Sequence, residues 1–198
     1  MIHLYWDAPA PPEHALDACQ RWQRRVPAED VRLWTPLLLP ELHARIRASW
    51  AGVDRRDHAR HQANVVRWWA LGTYGGIWAD VDVTPLRALP TAWEARPWCA
   101  TLYGVPTPFL CGGPAGAPLW DRALAASLER PRGSSPRASG GLMLARIASG
   151  RELVPRPANA FARLDAGGVE LPEPAQGRYS DHAWRTSSIR YRQRRASA

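Results

Sequence analysis

"YGGIWADVDVTPL", residues 74–86, reads as a helix stop followed by a strand. Side chains on a strand alternate with period two. Ile77, Ala79, Val81 and Val83 therefore share one face, and Trp78, Asp80 and Asp82 share the other. The first face is purely aliphatic. The second carries two carboxylates about 7 Å apart along the strand. Two like charges repel unless something positive lies between or beside them. A solvated edge strand is one answer. A hard divalent cation is another, because Mg²⁺ or Mn²⁺ takes one or two carboxylates together with substrate phosphates. The stretch closes at Thr84-Pro85, and ligands of open α/β sheets gather at the carboxyl ends of strands.

Working back from this strand, residues 58–73 read as a helix capped by Asp57 and ended by Gly75-Gly76. Ala59, Ala63, Val66 and Ala70 form its apolar stripe. Asn64 and Arg67, three residues apart, share another face with Arg60 and Leu71 in line. A guanidinium beside a metal-diphosphate site donates a planar fork to phosphate or sugar oxygens; the plainer reading of Arg67 is an intrahelical ion pair.

Further upstream, IHLYW (2–6) and VRLWT (31–35) read as strands, and 13–26 and 41–51 as helices. Downstream, 98–105 and 108–113 read as strands, 117–130 as a helix and 142–149 as a short one. The breaker-rich RPRGSSPRASGG (130–141) reads as a loop, either a lid that orders over a ligand or plain surface. Strand–helix alternation in the first half predicts an α/β fold with a mostly parallel sheet; the second half is more mixed.

With 198 residues the chain suits one domain, and 45% hydrophobic residues with 11 Trp mark it as globular. No apolar run reaches a membrane span, and MIHLYWDAPAPP lacks the basic and apolar regions of a signal peptide. Cys19, Cys99 and Cys111 are too few and wrongly spaced for a disulfide framework or a metal site, and predict a reducing, cytoplasmic setting. The net charge is +8 and every basic residue is Arg. Those arginines are dispersed and no nucleic-acid motif accompanies them, so no nucleic-acid partner is expected. The exception is the tail at 185–198, with Arg185, Arg190, Arg192, Arg194 and Arg195, which reads as a solvated terminus or as a peripheral contact with an anionic membrane.

RHQANVVRWWALGTYGGIWADVDVTPL (60–86) resembles the Asp-x-Asp sugar-binding region of glycosyltransferase family 32. That family includes initiating mannosyltransferases, capsule and lipopolysaccharide transferases, and relatives among the clostridial glucosylating toxins. The matching positions are Ala63, Arg67, Leu71, Tyr74, Gly75, Gly76, Ile77, Asp80 and Asp82. Ile2, His3 and Trp6 stand at the spacing of the family's opening Ile-His-x-x-Trp. The likeness covers residues 1–90 well and thins afterwards. Near the end, SDHAWRTSS resembles the family's closing His-x-x-x-x-Ser-Trp, with His182 and Ser187 matching and Ser188 where Trp is expected.

The resemblance implies a single GT-A-type domain over 1–184, with a donor-binding half at 1–90 and a closing, acceptor half at 91–184. It implies a metal-dependent, retaining transfer of a hexose from UDP- or GDP-sugar to a glycan, small-molecule or protein hydroxyl, in glycan, polysaccharide or glycoconjugate synthesis. The cofactor would be Mn²⁺ or Mg²⁺. Asp80, Asp82 and Arg67 would be catalytic. Trp6, Asn64, Arg67, Gly76 and Asp80 would bind the donor, with Trp6 on the nucleobase; a core tryptophan is the plainer reading of Trp6. Asp82, Asp80, His182 and Ser187 would hold the metal. One departure is Asn64, where the family has Asp: it still accepts one hydrogen bond but carries no charge. That difference keeps a catalytically silent, nucleotide- or glycan-binding relative as the alternative, ahead of an Arg-rich nucleic-acid-binding protein.

Overall fold

The computed structural model describes residues 1–27, 30–49, 55–129, 140–149, 151–161, 172, 174 and 178–182. Among the described residues, eight strands and five α-helices follow one another: β1 (Ile2–Tyr5), α1 (Glu13–Gln23), β2 (Val31–Trp34), α2 (Pro40–Ser49), α3 (Arg55–Tyr74), β3 (Gly76–Ala79), β4 (Val83–Pro85), β5 (Trp98–Leu102), β6 (Val105–Gly113), α4 (Pro118–Leu128), α5 (Gly141–Ile147), β7 (Val154–Pro157) and β8 (Ser180–His182). Six strands form one sheet in the order β2-β1-β3-β6-β5-β7. The pairs β1/β2, β1/β3 and β5/β7 are parallel, and β6 runs antiparallel to β3 and β5. This is the mostly parallel α/β sheet that strand–helix alternation predicts. The mixed second half has its cause in a two-residue hairpin: Tyr103 and Gly104 take φ of 51° and 77°, the type I′ pattern, so the strand expected over 98–105 ends at Leu102.

The sheet is covered on both faces. Alternation along β3 sends Trp78 into a core with Val65, Trp68, Leu71, Leu119 and Trp120, under α3 and α4. Ile77 and Ala79 enter the opposite core with Leu4, Ala18, Trp22 and Leu110. The helix α3 is therefore central, and it departs from the single-stripe expectation. Asn64, Val65, Val66, Arg67, Trp68, Ala70 and Leu71 are all buried, whereas Ala59 and Arg60 are exposed. The helix begins at Arg55, so Asp57 lies within it and is not its cap.

The glycine pair after α3 is obligatory. Gly75 (φ +65°) ends the helix with its N–H on the Leu71 carbonyl at 3.0 Å, the left-handed stop that glycine supplies. At Gly76 (φ +85°) an added Cβ would lie 2.3 Å from the Met1 carbonyl oxygen. His3 locks this corner. Its Nε2–H donates to the Gly75 carbonyl at 2.8 Å, and its Nδ1 accepts the Trp34 indole N–H at 3.1 Å. Burial pushes its pKa down from 6.5 to about 4. The folded protein thus holds neutral imidazole where the unfolded chain would be protonated. The stabilisation, about 3 kcal/mol, is full above pH 6.5 and is lost as pH falls through about 4. Thermal melts across that window will show the wild type losing stability more steeply than His3→Gln; equal slopes would contradict the assignment.

Cys99 and Cys111 face each other across β5 and β6, buried and free, and burial holds the Cys99 thiol well above its usual range. Among the described residues no helix is long and apolar enough to cross a membrane.

Candidate active site

The two carboxylates do not sit on a continuous strand. The strand β3 ends at Ala79, and the Val83 N–H returns to the Asp80 carbonyl at 2.9 Å, closing a β-turn over Asp80-Val81-Asp82. Aspartate favours such turns because its side chain bonds local backbone, and this preference is the signal that the alternating pattern concealed. The turn gathers the two acids instead of spacing them along the chain. It also peels β4 away from the main sheet to pair antiparallel with β8, with Val83 opposite His182.

That pairing brings a residue one hundred positions away onto Asp82. His182 Nε2 lies 2.9 Å from Asp82 Oδ1, and its ring stacks on Phe109 at 4.4 Å between centroids with the planes 4° apart. One ligand atom from each of Asp80, Asp82 and His182 falls within 4.8 Å of the others. Two oxygens and one nitrogen at this spacing fit a divalent cation, and the imidazole nitrogen suits Mn²⁺ better than Mg²⁺.

Asp80 is held from the α3 side. Arg67 NH2 donates to its Oδ1 at 2.9 Å, and the Trp78 indole N–H donates to the same oxygen at 2.8 Å. Oδ2 has no protein donor among the described residues. Arg67 NH1 donates to Asn64 Oδ1 at 2.5 Å, so the i, i+3 pair read from the sequence is real. The guanidinium is buried at 3% exposure, with its carbon 4.9 Å from the Trp78 ring centre and 5.4 Å from that of Trp68. Its first task in this geometry is to anchor Asp80 and Asn64. NH1 and NH2 each retain a second hydrogen for a ligand.

Trp6 follows β1 directly, half-buried and edge-on to His14 at 4.9 Å. Because β1 and β3 are parallel neighbours, Trp6 stands at the same carboxyl edge of the sheet as Asp80. Gly76 does not join this group: it opens β3 at the opposite end, against Met1. Ser187 and the basic tail lie outside the described residues, as does the 130–141 loop up to Ser139. At Gly140 an added Cβ would lie 3.2 Å from the Asn64 side-chain nitrogen, and at Gly141 1.8 Å from the Pro106 carbonyl oxygen. Gly140 thus lets the start of α5 press against Asn64, and Gly141 lets it press against β6. Sequence reasoning missed these glycines, Phe109 and Trp78. For Trp78 the signal was present, since it precedes Asp80 by two residues on the same strand face.

Residues 12–100 match the family described as "Glycosyltransferase sugar-binding region containing DXD motif". A search of curated proteins finds no match. Among solved structures, the chain is similar to the PaToxG glycosyltransferase, with a TM-score of 0.50 at 12% identity, covering 74% of this chain and 68% of that one. This likeness shows a shared GT-A-like fold. Independently, the family match likens residues 12–100, which contain Asp80-Val81-Asp82, to a DXD-containing glycosyltransferase sugar-binding region.

Proposed function

We propose that the chain is a metal-dependent, retaining glycosyltransferase that moves a hexose from a nucleoside-diphosphate sugar to an acceptor hydroxyl. The observation that carries this reading is the convergence of Asp80, Asp82 and His182 at the carboxyl edge of the sheet, beside the buried Arg67. Asp82 and His182 would hold a divalent cation, with Asp80 completing the set through its second oxygen. Such a cation supplies charge neutralisation to a departing diphosphate.

The protein's own groups do the rest. Arg67 adds a fixed positive charge in a dry setting, where preorganised electrostatics act most strongly. Asn64 and Asp80, locked to Arg67, present oriented polar atoms to the donor. Trp6 offers a flat ring to the nucleobase. The bond from the anomeric carbon to the diphosphate oxygen breaks, its electron pair leaves with the diphosphate, and the sugar passes through oxocarbenium character. The acceptor oxygen then bonds to the anomeric carbon on the face that the diphosphate leaves, and its proton passes to the departing diphosphate oxygen. No side chain is assigned as a covalent nucleophile.

Donor hydrolysis tests this without knowledge of the acceptor, because water can replace it. With Mn²⁺ and a panel of UDP- and GDP-hexoses, one donor is expected to release nucleoside diphosphate and free sugar. EDTA should stop the release, and added Mn²⁺ should restore it. Metal-dependent binding without release, on water or any acceptor, would favour the silent relative.

A further inference from the structure

We propose that Trp78 is a positioning residue of this site, whose indole N–H fixes Asp80 so that the carboxylate meets the metal through Oδ2 alone. The inference rests on the function proposed above and deepens it. Trp78 is buried at 1% exposure in β3. Its edge donates to Asp80 Oδ1 at 2.8 Å while its face carries the Arg67 guanidinium at 4.9 Å. Arg67 reaches the same oxygen at 2.9 Å. One ring therefore orients both partners of the ion pair.

Two donors converging on one carboxylate oxygen set the rotation of the group. Asp80 needs this help, because it stands just past the end of β3 and its side chain is 35% exposed. Held by Arg67 alone, the carboxylate would pivot about a single contact. Held by both, Oδ1 is committed and Oδ2 is the oxygen left for a ligand. Such a bond is not automatic for a buried indole. The indole nitrogens of Trp22, Trp98 and Trp120 are equally buried and have no hydrogen-bond partner among the described residues. Groups that hydrogen-bond a metal ligand fix its orientation, and losing one typically weakens metal binding about 10- to 100-fold.

Trp78→Phe keeps a ring against Arg67 and removes only the N–H donor and some volume. Mn²⁺ affinity of the full chain, read by electron paramagnetic resonance of free Mn²⁺ with UDP or GDP present, should fall at least about tenfold. In an Asp80→Asn background the same change should cost less than about threefold, because the contact it supports is already lost. Trp98→Phe, which removes an unpartnered indole elsewhere in the core, should lower the Tm and leave Mn²⁺ affinity unaltered. If Trp78→Phe proves unstable, benzothienylalanine at position 78, which keeps the indole shape without the N–H, should weaken Mn²⁺ binding equally. A Trp78 variant that loses Tm but binds Mn²⁺ within about twofold of wild type, or additive effects in the cycle, would overturn the positioning role and leave the metal site standing. A wild-type chain that binds no Mn²⁺ would overturn both.

Discussion

Asp82→Asn will lower kcat/KM for donor turnover by about 10³-fold and remove its response to Mn²⁺. The substitution changes one atom's chemistry and little else. Asparagine still offers an oxygen to His182 Nε2, which lies 2.9 Å from the native carboxylate, so the contact between β4 and β8 survives. The negative charge does not survive, and a carboxylate holds a divalent cation far more strongly than a neutral amide oxygen does. Folding should therefore be nearly intact, with a Tm within a few degrees of wild type, while metal-supported catalysis collapses. Turnover within about threefold of wild type, with unchanged Mn²⁺ dependence, would remove Asp82 from the metal site.

The second large effect is expected at Arg67, and the informative substitution is the conservative one. Arg67→Lys keeps the charge and loses the planar fork. An ammonium cannot reach Asn64 Oδ1 and Asp80 Oδ1 with the two-armed geometry that NH1 and NH2 provide. It also lacks a flat face for the Trp68 and Trp78 rings, and it carries tighter hydration into a position only 3% exposed. Removing one partner of a fully buried ion pair costs about 3–5 kcal/mol. Lysine keeps the charge and Asp80 is a third exposed, so only part of that loss is expected, about 2 kcal/mol, from the lost fork and packing. For a chain of this size that corresponds to a Tm lower by about 4–8 °C. Donor turnover should fall by about 10²-fold, since the anchor for both Asp80 and Asn64 is lost. A lysine variant with wild-type turnover would mean that charge alone suffices and that the fork has no role.

The first half of the fold is legible because its signals are local. A helix stopped by two glycines and followed by an aliphatic alternation gives α3, the corner and β3 in order. Asn64 and Arg67 met as their spacing required. The turn at Asp80–Val83 was hidden because Asp-Val-Asp satisfies strand alternation and turn chemistry equally, and only the return bond from Val83 decides between them. His182 could be named from a resemblance at the chain's end, but its contact with Asp82 depends on β4 leaving the sheet to find β8, a pairing no local pattern encodes. The burial of α3 nearly all round was missed for a similar reason. Periodicity reports which face a helix hides from water when it lies on a surface, and α3 lies between α2, α4 and the sheet.

The donor site is tested most simply by a calorimetric titration of the full chain with UDP- and GDP-hexoses, first with Mn²⁺ and then with EDTA. One donor is expected to bind in the presence of Mn²⁺, and chelation should abolish the heat. If no donor binds with metal present, the convergence of Asp80, Asp82 and His182 is not a donor site, and the proposed function fails.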